Sequence, residues 1–546
     1  MQFATDMSAR IIVAAAGIAA ISLITLVGWA DQDSGGPGQW PVAGQDLSNS
    51  WNQPAEHLIN ASNVSTLSPA WTFTTGGSVS ATPTVAGNAV YFPDWGGNLY
   101  ALEKDTGQLI WSHKISEYDG FATAISRVSP AVHGNELIIG DNENPAAAHN
   151  GANIIAVDRR TGALSWITSV ESHPAAIITG SPVVYRDVVY VGVSSNEEST
   201  LASDAAYQCC TFRGSVVALD ANTGGILWKM YDMPDNHGAT NQFSGGAIWQ
   251  PPAIDPARGL LYIGTGNNYT VPASVLACQA QAEAANNTTT VCTPADDFID
   301  TALALDLKTG KVKWAKNTDP PNVEWAHRVL DYDNWTIGCK ATPPNANCPT
   351  PKGPDFDLGG AGPNLLNKLV GFGQKSGVYW AFDPDDGHVL WNTFVGPGEN
   401  GTLGGIEWGT ATDGKRIYTE IANSGHVNYT LIPSGIQTTG GLWSALDAKT
   451  GKILWQTADP TPGSMDFGAV SVANGVVYAG SQGAPGFMYA LDAATGEILW
   501  SFVSGGSVID GPSIVDGFVY WGSGYHIGTN NNKLYAFAIP GRRGKK

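Results

Sequence analysis

The sequence predicts an all-β protein, an eight-bladed β-propeller with Trp-ending blade repeats whose ring is closed by an N-terminal strand. The first observation behind this is a repeat. Asp492-Ala-Ala-Thr495-Gly496-Glu-Ile-Leu-Trp500 has six upstream copies, which start at Glu103, Asp158, Asp220, Asp306, Asp383 and Asp447 and end at Trp111, Trp166, Trp228, Trp314, Trp391 and Trp455. The second is a pair of unfinished copies at the two ends. The run from Gly511 to Gly522 and Lys533-Leu-Tyr-Ala-Phe-Ala-Ile539 read as strands with no turn and Trp after them, while Leu67-Ser-Pro-Ala-Trp71-Thr-Phe73 is a Trp strand with no turn before it. Joined, they complete an eighth blade and remove the two exposed edges of an open array. The third is composition: 66 Gly and 19 Trp with only 14% charged residues suit short strands and turns around a large core.

Each copy reads as strand, tight turn, strand. The acidic and Thr side chains can bond turn amides, and the Gly can take positive φ. Another strand pair precedes the hairpin, as in the run Ala469 to Gly480, and four strands per repeat make a propeller blade. The closing Trp can lie between neighbouring sheets and bury about 150–250 Å².

In chain order, residues 1–30 read as a secretory signal. Arg10 precedes the apolar run Ile11 to Ala30, and Gly28 and Ala30 suit cleavage after Ala30. A retained anchor stays open, since the run approaches the ~20 residues that span a bilayer, and only then would the chain touch a membrane. Residues 31–62 form a leader expected to wrap the first blade, 63–540 the propeller, and 541–546 a basic tail. The formal charge of −20 argues against nucleic acid and favours a basic redox partner.

Six cysteines in an exported chain suggest three bridges. Cys278 with Cys292, and Cys339 with Cys348, bracket long insertions as staples. Cys209 and Cys210 are adjacent, and the residues alone leave two readings, a strained bridge or two buried thiols.

The intervals Trp228 to Trp314 and Trp314 to Trp391 are the longest, so the middle blades carry the insertions in which sites are usually built. Trp249 lacks the acidic turn of the blade tryptophans. Asn267 lies in a Gly-Thr-Gly-Asn segment that by itself reads as an ordinary turn.

The eight-blade count and the Trp-ending repeat resemble the quinoprotein alcohol dehydrogenases, which carry pyrroloquinoline quinone (PQQ) on the propeller axis. Tyr207-Gln-Cys-Cys-Thr-Phe-Arg213, Gly404-Gly-Ile-Glu407-Trp408-Gly and Gly373-Gln-Lys375-Ser-Gly are similar to segments of the polyvinyl alcohol dehydrogenases in that family. The resemblance implies PQQ and Ca²⁺ as cofactors. Arg127 and Thr179 would bind cofactor carboxylates, with Ser194 of the same Thr-Gly-x-Pro and following strand segment nearby; Trp249 and Trp408 would form walls. A vicinal Cys209–Cys210 ring would face Trp249 across the cofactor. Glu197, with Glu198 as its near competitor, Asn267 and Asp357 would hold the metal. Asp357 would be the base, Asp355 remaining open, and Lys375 would reach the quinone oxygens. The chain has no Cys-x-x-Cys-His motif, so the expected electron acceptor is a separate soluble cytochrome c, and the expected substrate an alcohol, with secondary hydroxyls along a polymer among the candidates. The expected location is the periplasm. The competing reading is a non-catalytic eight-bladed scaffold of the outer-membrane assembly type, which would have short, even repeats and a lipidated Cys just after the signal.

Overall fold

The computed structural model describes residues 38–143, 151–197, 208–285, 287, 290–318, 329–330, 355–366, 368–398 and 403–542. The signal segment, Glu198, the Cys339–Cys348 pair and residues 543–546 lie outside the described residues.

Eight four-stranded antiparallel sheets make the ring. Blade 1 comprises Thr84–Ala86, Ala89–Pro93, Asn98–Glu103 and Leu109–Lys114. Blades 2 to 7 repeat this order, and blade 8 is completed by Ser68–Thr74, which pairs antiparallel with Lys533–Ala538. The ring closure read from the two unfinished copies is therefore present.

The repeat has a physical cause that spans two blades. Within each turn the acid caps the chain: Asp158 Oδ1 accepts the Thr161 amide at 3.0 Å and its hydroxyl at 3.1 Å. Between blades, the Trp of one outer strand donates its indole N–H to the carbonyl just after the acid of the next turn. Trp111 bonds Arg159 O, Trp166 bonds Ala221 O, Trp228 bonds Leu307 O and Trp314 bonds Pro384 O, each at 3.0 Å. Trp500 closes the circle on Leu67 O at 3.1 Å. The turn glycine lies on that same ring. A Cβ at Gly224 would fall 2.5 Å from Trp166, and one at Gly310 2.5 Å from Trp228, and both glycines have positive φ. Trp391 keeps the ring contact with Gly451, but its indole N–H has no acceptor.

The leader departs from the expectation that it wraps the first blade. The innermost strand of a blade leaves one edge unpaired toward the axis, and residues 40–51 run along those edges around most of the ring. Trp40 N donates to Val85 O of blade 1 at 2.8 Å, and Pro41 O accepts Val132 N of blade 2 at 2.9 Å. Leu47 O accepts Ile254 N of blade 4, Ser48 O accepts Leu365 N of blade 5, Ser50 O accepts Thr412 N of blade 6, and Trp51 O accepts Val472 N of blade 7. Positive φ at Gln45, Asn49 and Trp51 lets the segment curl. Ala43 and Trp51 line a small cavity that shares Arg127, Thr179, Trp249 and Trp408 with the chamber described next, so the leader is its floor.

Candidate active site

Two kinds of loop meet on the axis above that floor: the turns leaving the second strand of a blade, and the segments that enter its first strand. The first kind supplies Trp95, Glu143, Ser194, Asn267, Lys375 and Tyr525; the second supplies Arg127, Thr179, Trp249, Asp357 and Trp408. Together they line a chamber of about 190 Å³. The chamber thus gathers Arg127, Thr179, Ser194, Trp249, Asn267, Asp357, Lys375 and Trp408 from five consecutive blades, 2 to 6.

One wall is the Trp249 indole. Gly359 and Gly360 lie against it so closely that a Cβ at Gly360 would fall 1.9 Å from the ring, which explains two consecutive glycines after Leu358. Trp408 meets Trp249 edge-on, with centroids 4.7 Å apart at 73°. Arg127 stacks over Trp408 at 4.5 Å, lies 5.5 Å from the Trp95 ring, and donates from Nη2 to the Tyr525 hydroxyl at 3.3 Å.

Beside Trp249 lies a buried charge cluster. Lys375 Nζ is 3.1 Å from Asp355 Oδ2 and 3.3 Å from Asp357 Oδ2, and the three side chains are 3%, 0% and 4% exposed. Trp249 Nε1 donates to Asp357 Oδ2 at 3.2 Å, and the Gly359 amide donates to Asp357 Oδ1. Asp355 Oδ1 accepts the Asp357 amide at 2.8 Å. Asp357 therefore faces the chamber, whereas Asp355 is outside its lining and fixes the lysine from behind.

Asn267 lies next to this cluster, since a Cβ at Gly266 would be 3.2 Å from Asp357 Oδ1. Glu197 is fully buried behind Ser194 to Asn196 rather than among the lining side chains. Its oxygens accept the Thr211 amide at 2.8 Å and the Phe212 amide at 2.9 Å, and His173 Nε2 is 3.5 Å away. Burial opposes ionisation, but the His173 contact and the two amides outweigh it and hold this carboxyl below its ordinary range.

Cys209 and Cys210 form a disulfide immediately before those two amides, and Cys278–Cys292 staples the helix Ala273–Ala284 to the loop after it. The vicinal pair does not line the chamber; its link to the site runs through Thr211 and Phe212.

Sequence reasoning missed Glu143. It is 5% exposed and lines the chamber, and its Oε2 has no partner. Burial pushes its carboxyl up to about 7. Its available signal was position, since it follows the second strand of blade 2 as Asn267 follows that of blade 4. Tyr525 and His526 were missed in blade 8; burial and then Arg127 push the His526 imidazole down to about 4, so it is neutral.

The donor set suits a flat, acidic, polar-edged cofactor with a divalent cation. Thr179 Oγ1, Asn267 Nδ2 and Glu143 Oε2 are buried at the walls without protein partners, an indole supplies a flat face, and Arg127 and Lys375 supply positive charge.

The family described as glucose/ethanol/alcohol dehydrogenase, β-propeller domain, matches residues 40–337. A second, outer membrane protein assembly factor BamB, matches 374–507 and 438–540, which are the repeats of the later blades alone. A polyvinylalcohol dehydrogenase of Pseudomonas sp. is 31% identical over 93% of this chain and 78% of its own length. One from Sphingopyxis sp. gives the same identity and coverage. Among solved structures, the quinohemoprotein alcohol dehydrogenase of Comamonas testosteroni superimposes with a TM-score of 0.65 at 19% identity, over 93% of this chain and 81% of that one. The chain belongs to the PQQ-dependent quinoprotein alcohol dehydrogenase family and is an enzyme of the polyvinyl alcohol dehydrogenase-like group.

Proposed function

We propose that this enzyme oxidises secondary hydroxyls, including those along polyvinyl alcohol, to ketones in the periplasm, with PQQ and Ca²⁺ held in the axial chamber and a separate cytochrome c as electron acceptor. The observation that carries the reading is the meeting of Asp357, Lys375 and Trp249 in one enclosed space, with 3.2–3.3 Å contacts at a single carboxylate oxygen.

Arg127 and Thr179 Oγ1 would hold the cofactor's carboxylates, with Ser194 beside them, and Trp249 would support one face. Trp408 would buttress Trp249 and Arg127 together. Glu197, Asn267 and Asp357 would ligate the cation, carboxylate and amide oxygens being the donors Ca²⁺ takes. When bound, PQQ supplies the two-electron oxidation and Ca²⁺ the Lewis acidity.

Asp357 takes the proton of the substrate hydroxyl. Its Oδ2 accepts from Trp249 Nε1 and lies 3.3 Å from Lys375 Nζ, so it is a positioned acceptor. Lys375 stabilises negative charge that develops beside it, in a site where burial strengthens that effect. Asp355 keeps the ammonium in place when Asp357 accepts a proton. Trp95, Leu403 and Phe467 add apolar walls to the chamber.

The secondary-hydroxyl assignment rests on the two polyvinylalcohol dehydrogenase relatives. The test is reconstitution of purified apoprotein with PQQ and Ca²⁺, followed by reduction of cytochrome c with 2-propanol, longer secondary alcohols and polyvinyl alcohol. Turnover on secondary alcohols above primary ones is expected. Equal or greater turnover on methanol and ethanol would overturn the substrate assignment, and no cofactor-dependent turnover would overturn the reading as a whole.

A further inference from the structure

Next to Asn267 in sequence, and outside the residues that line the chamber, lies a set of buried oxygens around Asn268 that the proposed chemistry does not use. Asp232 is fully buried, and neither carboxylate oxygen has a partner. Asp297 is 8% exposed and its Oδ1 has none. The two are neighbours, because the Phe298 amide donates to Asp232 O at 2.8 Å. Among the described residues the cation that acts on Asp232 is Arg213; its Nη1 is 2.6 Å from Asp235 and its guanidinium sits 3.9 Å over the Tyr231 ring, while its Nε has no partner.

A neutral side chain points into the same set. Asn268 is 2% exposed; its Nδ2 donates to Asp297 Oδ2 at 3.0 Å and to Val329 O at 3.2 Å, while its Oδ1 has no partner. Two glycines bring the backbone close against the carboxylate. A Cβ at Gly246 would fall 2.6 Å from both Asp232 oxygens. One at Gly214 would fall 2.6 Å from Asp232 Oδ2 and 1.8 Å from Gly246 O, so that carbonyl also faces the carboxylate.

Two buried carboxylates with no cation are unfavourable by several kcal/mol per ion. We infer that Asp232, Asp297, Asn268 Oδ1 and the Gly246 carbonyl form a second divalent-cation site, for Ca²⁺, separate from the chamber. The all-oxygen donors and the double negative charge match Ca²⁺, and water completes its six to eight ligands. Mg²⁺ fits less well, because it demands a near-ideal octahedral shell, whereas Ca²⁺ accepts an irregular set of carboxylate, amide and carbonyl oxygens. Without an ion, burial and then the Asp297 charge hold the Asp232 carboxyl of this site well above its ordinary range. Its role would be to brace the Gly246 and Asn267 layer, joined by the Gly246 amide on Asn267 O at 2.8 Å, and so to hold a chamber ligand from behind.

The test uses full-length apoprotein dialysed against on the order of 1 mM Ca²⁺, the upper range for extracellular calcium modules, with bound calcium measured by atomic emission. Glu197→Gln removes a chamber ligand and should leave one ion per chain. Adding Asp297→Asn should remove that ion and abolish the calcium-dependent rise in thermal midpoint; Asp232→Asn should do the same. Loss of all calcium in Glu197→Gln alone, or retention of the ion in Glu197→Gln/Asp297→Asn, would overturn the second site. Failure of the chamber reading looks different: wild type and Glu197→Gln would then bind the same single ion, still lost with Asp297→Asn.

Discussion

Asp357→Asn and Asp355→Asn remove the same atom from two carboxylates that share one lysine, yet they should have opposite consequences. Asparagine at position 357 keeps one accepting oxygen, so it can still accept from either Gly359 N or Trp249 Nε1, which now meet different carboxylate oxygens, and the other donor loses its acceptor. It loses the attraction to Lys375 at 3.3 Å, worth about 5 kcal/mol at an effective dielectric of roughly 20, but Lys375 keeps Asp355 at 3.1 Å, so no buried charge is left alone. What disappears is the proton acceptor. Removing a positioned base costs roughly 10²–10⁴-fold, or about 3–5 kcal/mol in the barrier. Asp355→Asn leaves Asp357 in the chamber with its lysine, and turnover should fall less than about tenfold. The assay is cytochrome c or dye reduction by PQQ- and Ca²⁺-reconstituted protein, with cofactor occupancy read from quenching of tryptophan fluorescence. If Asp357→Asn turns over normally, while Asp355→Asn is inactive with PQQ bound, the base is Asp355 and the reasoning from chamber exposure fails. Lys375→Met completes the set. It strands both carboxylates, for which about 3–5 kcal/mol is expected, and at about 2.1 cal/mol/K per residue of unfolding entropy that lowers the thermal midpoint by roughly 3–4 °C.

Three further perturbations test other parts. Gly360→Ala puts a methyl 1.9 Å from the Trp249 ring and should weaken PQQ binding at least about tenfold with little loss of secondary structure by circular dichroism; unchanged affinity would show that Trp249 does not form the cofactor wall. Trp51→Ala removes a 4% exposed side chain at the chamber floor and should cost about 3–5 kcal/mol in urea denaturation, more than any surface Trp. Glu420 is fully buried, and burial pushes its carboxyl up to about 8. A raised carboxyl means that the folded state binds the extra proton, so its contribution falls as pH rises from about 4.5 through about 8, by a few kcal/mol. Denaturation midpoints of the wild type should therefore drop between about pH 5 and pH 9, and Glu420→Gln should flatten part of that drop; identical profiles would refute the assignment.

What the sequence made legible followed from how far a side chain's role depends on its neighbours in the chain. The blade repeat was readable because Asp158, Thr161 and Gly162 act on one another within a single turn. Even there, the reason the glycine cannot change lies in the preceding blade, where Trp111 occupies the space a Cβ would need. Arg127, Thr179, Trp249, Asn267 and Lys375 were found through short motifs at strand ends, positions that the propeller necessarily turns toward its axis. Glu143 sits at an equivalent strand end, but a Glu between two asparagines reads as a solvated loop, and only its burial marks it. The choice between Asp355 and Asp357 could not be made from residues two apart in one segment; it depends on which of them Trp249, from another blade, reaches. The leader was hardest to read. It grips the inner strands through its own Pro41, Leu47, Ser48, Ser50 and Trp51 carbonyls, and a carbonyl contact leaves no residue-type signature. That mode of attachment has a consequence for evolution of the chamber: the leader's hydrogen bonds to the inner strands do not depend on side-chain identity, so only packed residues such as Trp51 are constrained there, whereas the Asp357–Lys375–Asp355 cluster cannot lose one member without leaving a buried charge to be compensated.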